Sequence, residues 1–238
     1  MVMNNAIETM AELIGNQLKL VDLSHNLEVG MPSCLTHARF GRVQHEAIEN
    51  GDAFTHAALI MSEHTGTHMD APNHHIPGSY YTIEKVPADR LFGRGVIIDA
   101  SHLKENERLP VSFIQAWEKE HGEIRAKDFV LFRFGWDKKW NVQPNCKPYE
   151  HDWPGLGQEA SEYLKDKGVS VVGTDALALD AGDAVVCPAH DVLLGADIFI
   201  LEALDKLDTL PPFCYIVALP LKVKDGSGAP TRVIALVE

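Results

Sequence analysis

The residues of this chain best suited to chemistry lie in one stretch, His64-Thr65-Gly66-Thr67-His68-Met69-Asp70-Ala71-Pro72-Asn73-His74, with His75 directly after it. Four of the twelve histidines therefore fall within residues 64–75. A helix would put His64 and His68 on one face, but Gly66 and two β-branched threonines weaken a helix and Pro72 interrupts it. In an extended segment, residues 64, 66, 68 and 70 share a face. That face carries His64, Gly66, His68 and Asp70, and the glycine leaves space for an ion. Two imidazole nitrogens and one carboxylate oxygen form an incomplete shell suited to Zn²⁺, Mn²⁺ or Fe²⁺. Pro72 then turns the chain, so His74 can face the same ion without binding it. The plain alternative is a polar, histidine-rich loop that holds no metal.

A second patch lies far downstream. Pro188-Ala189-His190-Asp191-Val192-Leu193-Leu194 precedes the apolar run Ile198-Phe199-Ile200-Leu201, which ends at Glu202. A carboxylate there is poorly placed unless it is paired or bound. His190 lies twelve residues before it. Taken alone, the two read as a helix-start histidine and a surface glutamate.

The elements that must position these residues can be read from pattern. Ile7, Met10, Ala11, Ile14 and Leu18 are spaced as on a helix over residues 6–18, and Lys19–Leu23 reads as a short strand. Residues 26–55 are punctuated by glycine and proline and read as loops or short strands. The apolar run at 56–61 fits a buried strand leading into the motif, with His56 a core histidine or one that orients a ligand. After a loop or short helix at 78–90, strands are expected at 95–100, 129–134, 169–172, 198–201, 215–219 and 232–237. Helices are expected from Pro110 to His121, stopped by Gly122, and from Gln158 to Lys167, stopped by Gly168. Residues 136–156 hold three of the four tryptophans and three prolines and read as a long functional loop. Strands that follow one another without a helix argue against a doubly wound sheet. The expected fold is a single mixed α/β domain over residues 1–238 with a β-rich core, residues 1–18 being a helical extension.

At 238 residues, with 45% hydrophobic and 23% charged residues, the chain suits one soluble domain. A net charge of −13 argues against nucleic acid, and no stretch reaches the roughly 18 apolar residues of a membrane span. No secretory signal is evident at Met1–Glu8. Cys34, Cys146, Cys187 and Cys214 form no C-x-x-C pair and read as reduced thiols in a cytoplasm. The expected partners are a small-molecule substrate and further copies of the chain, as a dimer or tetramer.

The stretch at 64–74 resembles the H-x-G-T-H-x-D-x-P-x-H signature of the cyclase family, which includes bacterial kynurenine formamidase and isatin hydrolase. His64, Gly66, Thr67, His68, Asp70, Pro72 and His74 meet every fixed position. His190, Leu193-Leu194 and Glu202 also match a family pattern. So do Asp175 and Asp180, with Ala178 where the family usually has serine, and Gly228-Ala229-Pro230-Thr231-Arg232. The resemblance runs from about Val21 to the end of the chain. It implies the swivelling β/β/α type of fold and a metal-dependent hydrolase that cleaves an amide C–N bond.

In the kynurenine formamidase branch, residues matching His64, His68 and Asp70 hold one metal, and those matching Asp70, His190 and Glu202 hold a second. The residue matching His74 donates and accepts the proton. Isatin hydrolase uses a single manganese. The resemblance thus implies Zn or Mn, as one ion or two. The logic is physical: a divalent ion makes bound water a nucleophile and polarises a carbonyl, while a histidine off the metal carries the proton.

The kynurenine formamidase branch carries a tryptophan near its N-terminus that stacks on the aryl substrate. The comparable stretch Gly30-Met31-Pro32-Ser33-Cys34-Leu35 has none, which disfavours N-formylkynurenine. Trp136, Trp140 and Trp153 can supply an aromatic wall instead, or simply pack in the core. Two other classes compete: a cysteine hydrolase using Cys187 near His190, which lacks a nucleophile motif, and a metal-binding protein without catalysis, which has no need of His74.

Overall fold

The structure, a computed structural model, describes residues 3–238. In chain order the elements are α1 (Met3–Glu12), β1 (Lys19–Asp22), β2 (Gly41–Glu46), β3 (His56–Ile60), β4 (His68–Asp70), β5 (Phe92–Asp99), β6 (Arg108–Leu109), α2 (Val111–His121), β7 (Phe129–Arg133), β8 (Gly155–Leu156), α3 (Gln158–Lys167), β9 (Val171–Thr174), α4 (Pro188–Leu194), β10 (Phe199–Glu202), β11 (Phe213–Pro220) and β12 (Gly228–Val237). Seven strands close into a barrel in the order β12-β11-β5-β7-β9-β10-β4, with β4 pairing back onto β12. β1 adds to the free edge of β12. The expected mixed α/β domain with a β-rich core is this barrel.

One half of the barrel is parallel. β5, β7, β9 and β10 pair side by side, and α2, α3 and α4 are the crossovers that parallel pairing needs. These strands are buried on both faces and so read as unbroken apolar runs. The pleat then sorts their side chains. Val96, Ile98, Val130 and Phe132 face outward and pack under Ile114, Trp117, Leu164 and Leu193 of the helices. Ile97, Phe129, Leu131, Val171 and Leu201 point into the barrel, where Met69, Val233 and Ala235 meet them. The other half, β4, β12 and β11, is antiparallel.

Three expectations change. The helix expected over 6–18 is α-helical to Glu12 and continues as a π-turn over Leu13–Gln17. The run at 56–61 is not a buried strand. It forms the exposed hairpin β2–β3, where Val43, Leu59 and Ile60 are each more than half exposed, with no described element packed over them. His56 is accordingly no core residue. It stacks on His45 and faces Glu46 at the surface. The tryptophans of the long loop serve packing: Trp136 Nε1 donates to the Tyr149 carbonyl, Trp153 Nε1 donates to the Asp180 carbonyl, and Trp140 stacks on His25 with ring centroids 3.7 Å apart. No helix among the described residues is long and apolar enough to cross a membrane.

Candidate metal centre

β4 is only three residues long, yet it is paired on both sides and closes the barrel. His68 and Asp70, two apart, project to one face, while Met69 fills the apolar core. Antiparallel pairing with β10 sets Glu202 directly opposite His68, which brings the two side chains together. His64 arrives from the bend before β4, where Gly66 turns with φ +63. His74 sits in the single 3₁₀ turn Pro72–His74, and His190 in the first turn of α4.

Four side chains form a closed ring of contacts. His68 Nε2 lies 3.3 Å from Asp70 Oδ1 and 3.4 Å from Glu202 Oε2. His190 Nε2 lies 3.3 Å from Glu202 Oε1 and 3.6 Å from Asp70 Oδ2. All four residues are buried. His64 Nδ1 meets Asp70 Oδ1 at 2.6 Å, and the His74 ring lies 4.0 Å from the His64 ring. All six residues singled out in the sequence therefore converge. Ligand atoms of five of them fall into two sets within 4.8 Å, His68, Asp70 and Glu202, and His64, Asp70 and His74, with Asp70 common to both. His190 groups with Asp180 and Cys187, so the sets are not the pairs of triads that the resemblance implies.

The outward nitrogens are tied down. His68 Nδ1 donates to the Gly66 carbonyl at 2.8 Å, and His190 Nδ1 donates to Asp180 Oδ2 at 2.6 Å. The Nε2 atoms of both are thus turned inward. Asp180 also accepts the backbone N–H groups of Ala189 and His190. Its oxygens are therefore fully engaged, although Cys187 brings a sulfur close to it and to His190.

Burial opposes every charge here, so the partners decide protonation. For His68, Asp70 and then Glu202 overcome burial and raise the imidazole to about 10. For His190, Asp180, Asp70 and Glu202 raise it well above the ordinary value. Burial and Asp70 push Glu202 up, but His190 and His68 outweigh them and hold it at about 2. Asp70 is held well below its usual range, against burial, by His68 and His64. His74 has no such partner at contact, and burial lowers it to about 4, so it is neutral at pH 7.

This donor set suits a divalent ion. Two ligand atoms on a tetrahedral Zn²⁺, with bonds of about 2.0–2.1 Å, sit about 3.3–3.4 Å apart. That is close to the contact lengths around the ring. Asp70 Oδ2 is buried with no hydrogen-bond donor, since His190 Nε2 stands off at 3.6 Å, and a bound cation would satisfy it.

The sequence reading leaves out three neighbours. His37, from the loop before β2, places its ring 5.7 Å from that of His64. Its buried Nδ1 has no partner, and burial and then His64 lower its pKa. Glu63 and Ser227 carry no signal beyond adjacency to conspicuous residues, while Asp180 enters through the family resemblance, with nothing to mark it as the partner of His190.

The "Putative cyclase" family model matches residues 21–181. The isatin hydrolase of Roseibium aggregatum is 35% identical over 204 residues, covering 79% of this chain and 77% of its own length. The kynurenine formamidase of Erythrobacter litoralis is 30% identical over 220 residues, covering 92% and 94%. The solved structure of isatin hydrolase A from Ralstonia solanacearum superposes with a TM-score of 0.89 at 32% identity, covering 98% of this chain and 97% of that one. The fold thus has close counterparts among solved isatin hydrolase structures, and the chain belongs to the putative cyclase family.

Proposed function

We propose that this chain is a metal-dependent hydrolase that cleaves the C–N bond of an amide or cyclic amide in a small molecule. The observation that carries the reading is the buried ring of His68, Asp70, His190 and Glu202, with an unpartnered carboxylate oxygen inside it. His68, Asp70, His190 and Glu202 would hold one ion. His64 and the shared Asp70 would hold a second where two bind. Zn²⁺ or Mn²⁺ suits these nitrogen and oxygen donors. When bound, the ion supplies a nucleophile from water at neutral pH and polarises the scissile carbonyl.

His74 carries the proton. Its ring lies beside His64 and 6.1 Å from that of His190, and it is neutral at pH 7. A neutral imidazole takes up a proton first and then delivers it to the leaving nitrogen. Asp180 and the Gly66 carbonyl hold the inward direction of His190 and His68, while the apolar barrel wall excludes water. A cyclic amide is favoured over N-formylkynurenine, because residues 30–35 offer no tryptophan to stack on an aryl group. The two cited relatives act, by name, on isatin and on a kynurenine formamide.

We further read residues 1–238 as one domain of the swivelling β/β/α type with a helical extension at 1–18, working in the cytoplasm as a dimer or tetramer. Four free cysteines suit a reducing compartment, and the apolar surface of β2–β3 suits contact between copies. The test of the central reading is metal analysis of protein purified without chelator, paired with a panel of amides, imides and lactams. Chelation should abolish hydrolysis and Zn²⁺ or Mn²⁺ should restore it. Full activity in a verified metal-free preparation would overturn the proposal.

A further inference from the structure

The turn Asp225-Gly226-Ser227-Gly228, which leads into β12, is built around His64. Ser227 Oγ lies 2.9 Å from His64 Nε2. The same hydroxyl donates to Glu63 Oε2 at 2.6 Å, and the Ser227 backbone N–H donates to that oxygen at 2.9 Å. A Cβ on Gly228 would come within 2.6 Å of His64 Cε1 and 2.8 Å of the Met69 carbonyl oxygen, so only glycine leaves room for the ring. The turn itself is fixed from both sides. The Ser227 carbonyl accepts the Ala71 N–H, and the Gly226 carbonyl accepts the Ile83 N–H, each at 2.9 Å.

The direction of these bonds decides which nitrogen of His64 faces the centre. A serine hydroxyl has one proton and can either give or accept at an imidazole. Here the Glu63 carboxylate takes that proton, so only the lone pairs of Ser227 remain for His64. Nε2 must therefore carry a proton and donate it. Nδ1 faces Asp70 Oδ1 at 2.6 Å, and a carboxylate only accepts, so without an ion Nδ1 donates there as well. That proton is the one an ion on the Asp70 Oδ1 side would displace. His68 and His190 need no such device. Their outward nitrogens meet a backbone carbonyl and a carboxylate, which only accept. His64 alone of these three is tied to a two-way group, and it alone has a second carboxylate behind that group.

We propose that Glu63 and Ser227 are positioning residues that lock the tautomer and ring direction of His64, so that Nδ1 is offered to the ion on the Asp70 Oδ1 side. The proposal rests on the metal-dependent reading given above. Such outer partners set ligand orientation and basicity, and their loss costs about 10–100-fold in metal affinity. The effect falls on the His64 side and spares the set built on His68 and Glu202.

The test uses the full chain stripped by chelator and titrated calorimetrically with Zn²⁺, as parent, Ser227→Ala, Glu63→Ala and Glu63→Gln. Glutamine keeps an amide oxygen that can accept both Ser227 donors. Both alanine variants should lose about 10–100-fold in affinity for the equivalent that involves His64, while Glu63→Gln stays near the parent. If the parent takes one equivalent, the loss is read on that one. Nitrogen-15 spectra of histidine in chelator give a second readout that needs no metal. The parent and Glu63→Gln should show a protected His64 Nε2–H that both alanine variants lose. Parent-like Zn²⁺ affinity in both alanine variants, or a surviving protected Nε2–H in both, overturns the inference. A parent that binds no Zn²⁺ overturns the metal reading instead, and the spectra then decide the lock by themselves.

Discussion

Replacing Asp70 by asparagine keeps the side-chain shape and removes one buried charge. In the parent, Oδ1 faces His64 Nδ1 at 2.6 Å and His68 Nε2 at 3.3 Å, while Oδ2 faces His190 Nε2 at 3.6 Å. Asp70 therefore touches all three imidazoles and is 1% exposed. In chelator, His68 and His190 are cationic beside the carboxylates of Asp70, Glu202 and Asp180. The asparagine variant removes the one counter-charge that touches all three imidazoles and turns an N–H₂ toward nitrogens that themselves donate. Removing one partner of a buried ion pair costs about 3–5 kcal/mol. Glu202 remains as a counter-charge, so the lower end applies. For a chain of this size each kcal/mol moves the melting temperature by roughly 2–4 °C, so the variant should melt roughly 6–12 °C below the parent in chelator. Both donor sets contain Asp70, so bound Zn²⁺ should fall to near zero after dialysis. Calorimetric melts and metal counts read the two effects separately. A variant that melts within about 1 °C of the parent in chelator, and keeps the parent's metal, would refute the reasoning.

Other expectations follow from single contacts. His74→Ala should keep its metal and lose about 10²–10⁴ in turnover; a variant that loses metal makes His74 a ligand, as its place beside His64 and Asp70 allows. Gly155→Ala would push a Cβ to 2.6 Å from the Asp180 carbonyl carbon and the Leu179 carbonyl oxygen. It should cost about 1–3 kcal/mol in urea unfolding and weaken Zn²⁺ binding through Asp180 and His190; unchanged unfolding would count against that packing argument. Burial opposes the charge of Glu118, but Lys167, the Tyr163 hydroxyl and the Ile124 N–H donate to it and hold its pKa below 4.5. A lowered acid adds stability above its unfolded pKa and loses it as pH falls through the folded one. Glu118→Gln should therefore cost about 1–2 kcal/mol at pH 7 and less at each step below about pH 4. A gap that stays constant with pH would show that its charge is not what matters.

The chemistry was legible where one stretch of chain supplied it. Period-two alternation correctly put His68 and Asp70 on one face, because β4 is extended. It failed two residues earlier. Gly66 adopts φ +63, and a Cβ there would meet Leu27 Cδ2 at 2.7 Å and Met31 Cε at 3.0 Å. The glycine serves a left-handed turn and the packing of the preceding loop, and leaves no pocket for an ion. Glu202 was legible as a misplaced carboxylate at the end of an apolar run, but its partner was not. That partner, His68, is set by strand register, which a single sequence does not carry. Asp180, Glu63 and Ser227 act through hydrogen bonds to histidines or across the turn, and the Glu63–Ser227 bond spans 164 positions. The hairpin β2–β3 misled for the opposite reason: apolar residues stand there uncovered, and burial does not follow from hydrophobicity.

The closing strand of the barrel and the centre of the site are the same three residues. β4 joins β10 to β12, and its His68 faces Glu202 across one seam, while on the other Gly228 makes room for His64. A seam of three residues offers few backbone hydrogen bonds, and here it must also keep charged groups out of water. A strand chosen for stability alone would be longer and apolar. An ion that binds the folded barrel and not the unfolded chain offsets this, contributing about 2.7 kcal/mol at a concentration of 100 Kd. The link runs both ways. Whatever opens the seam separates Glu202 from His68 and destroys the donor set, and whatever fills the donor set holds β4 between its neighbours. Barrel closure and site assembly are thus one event, which is why so short a strand can carry both.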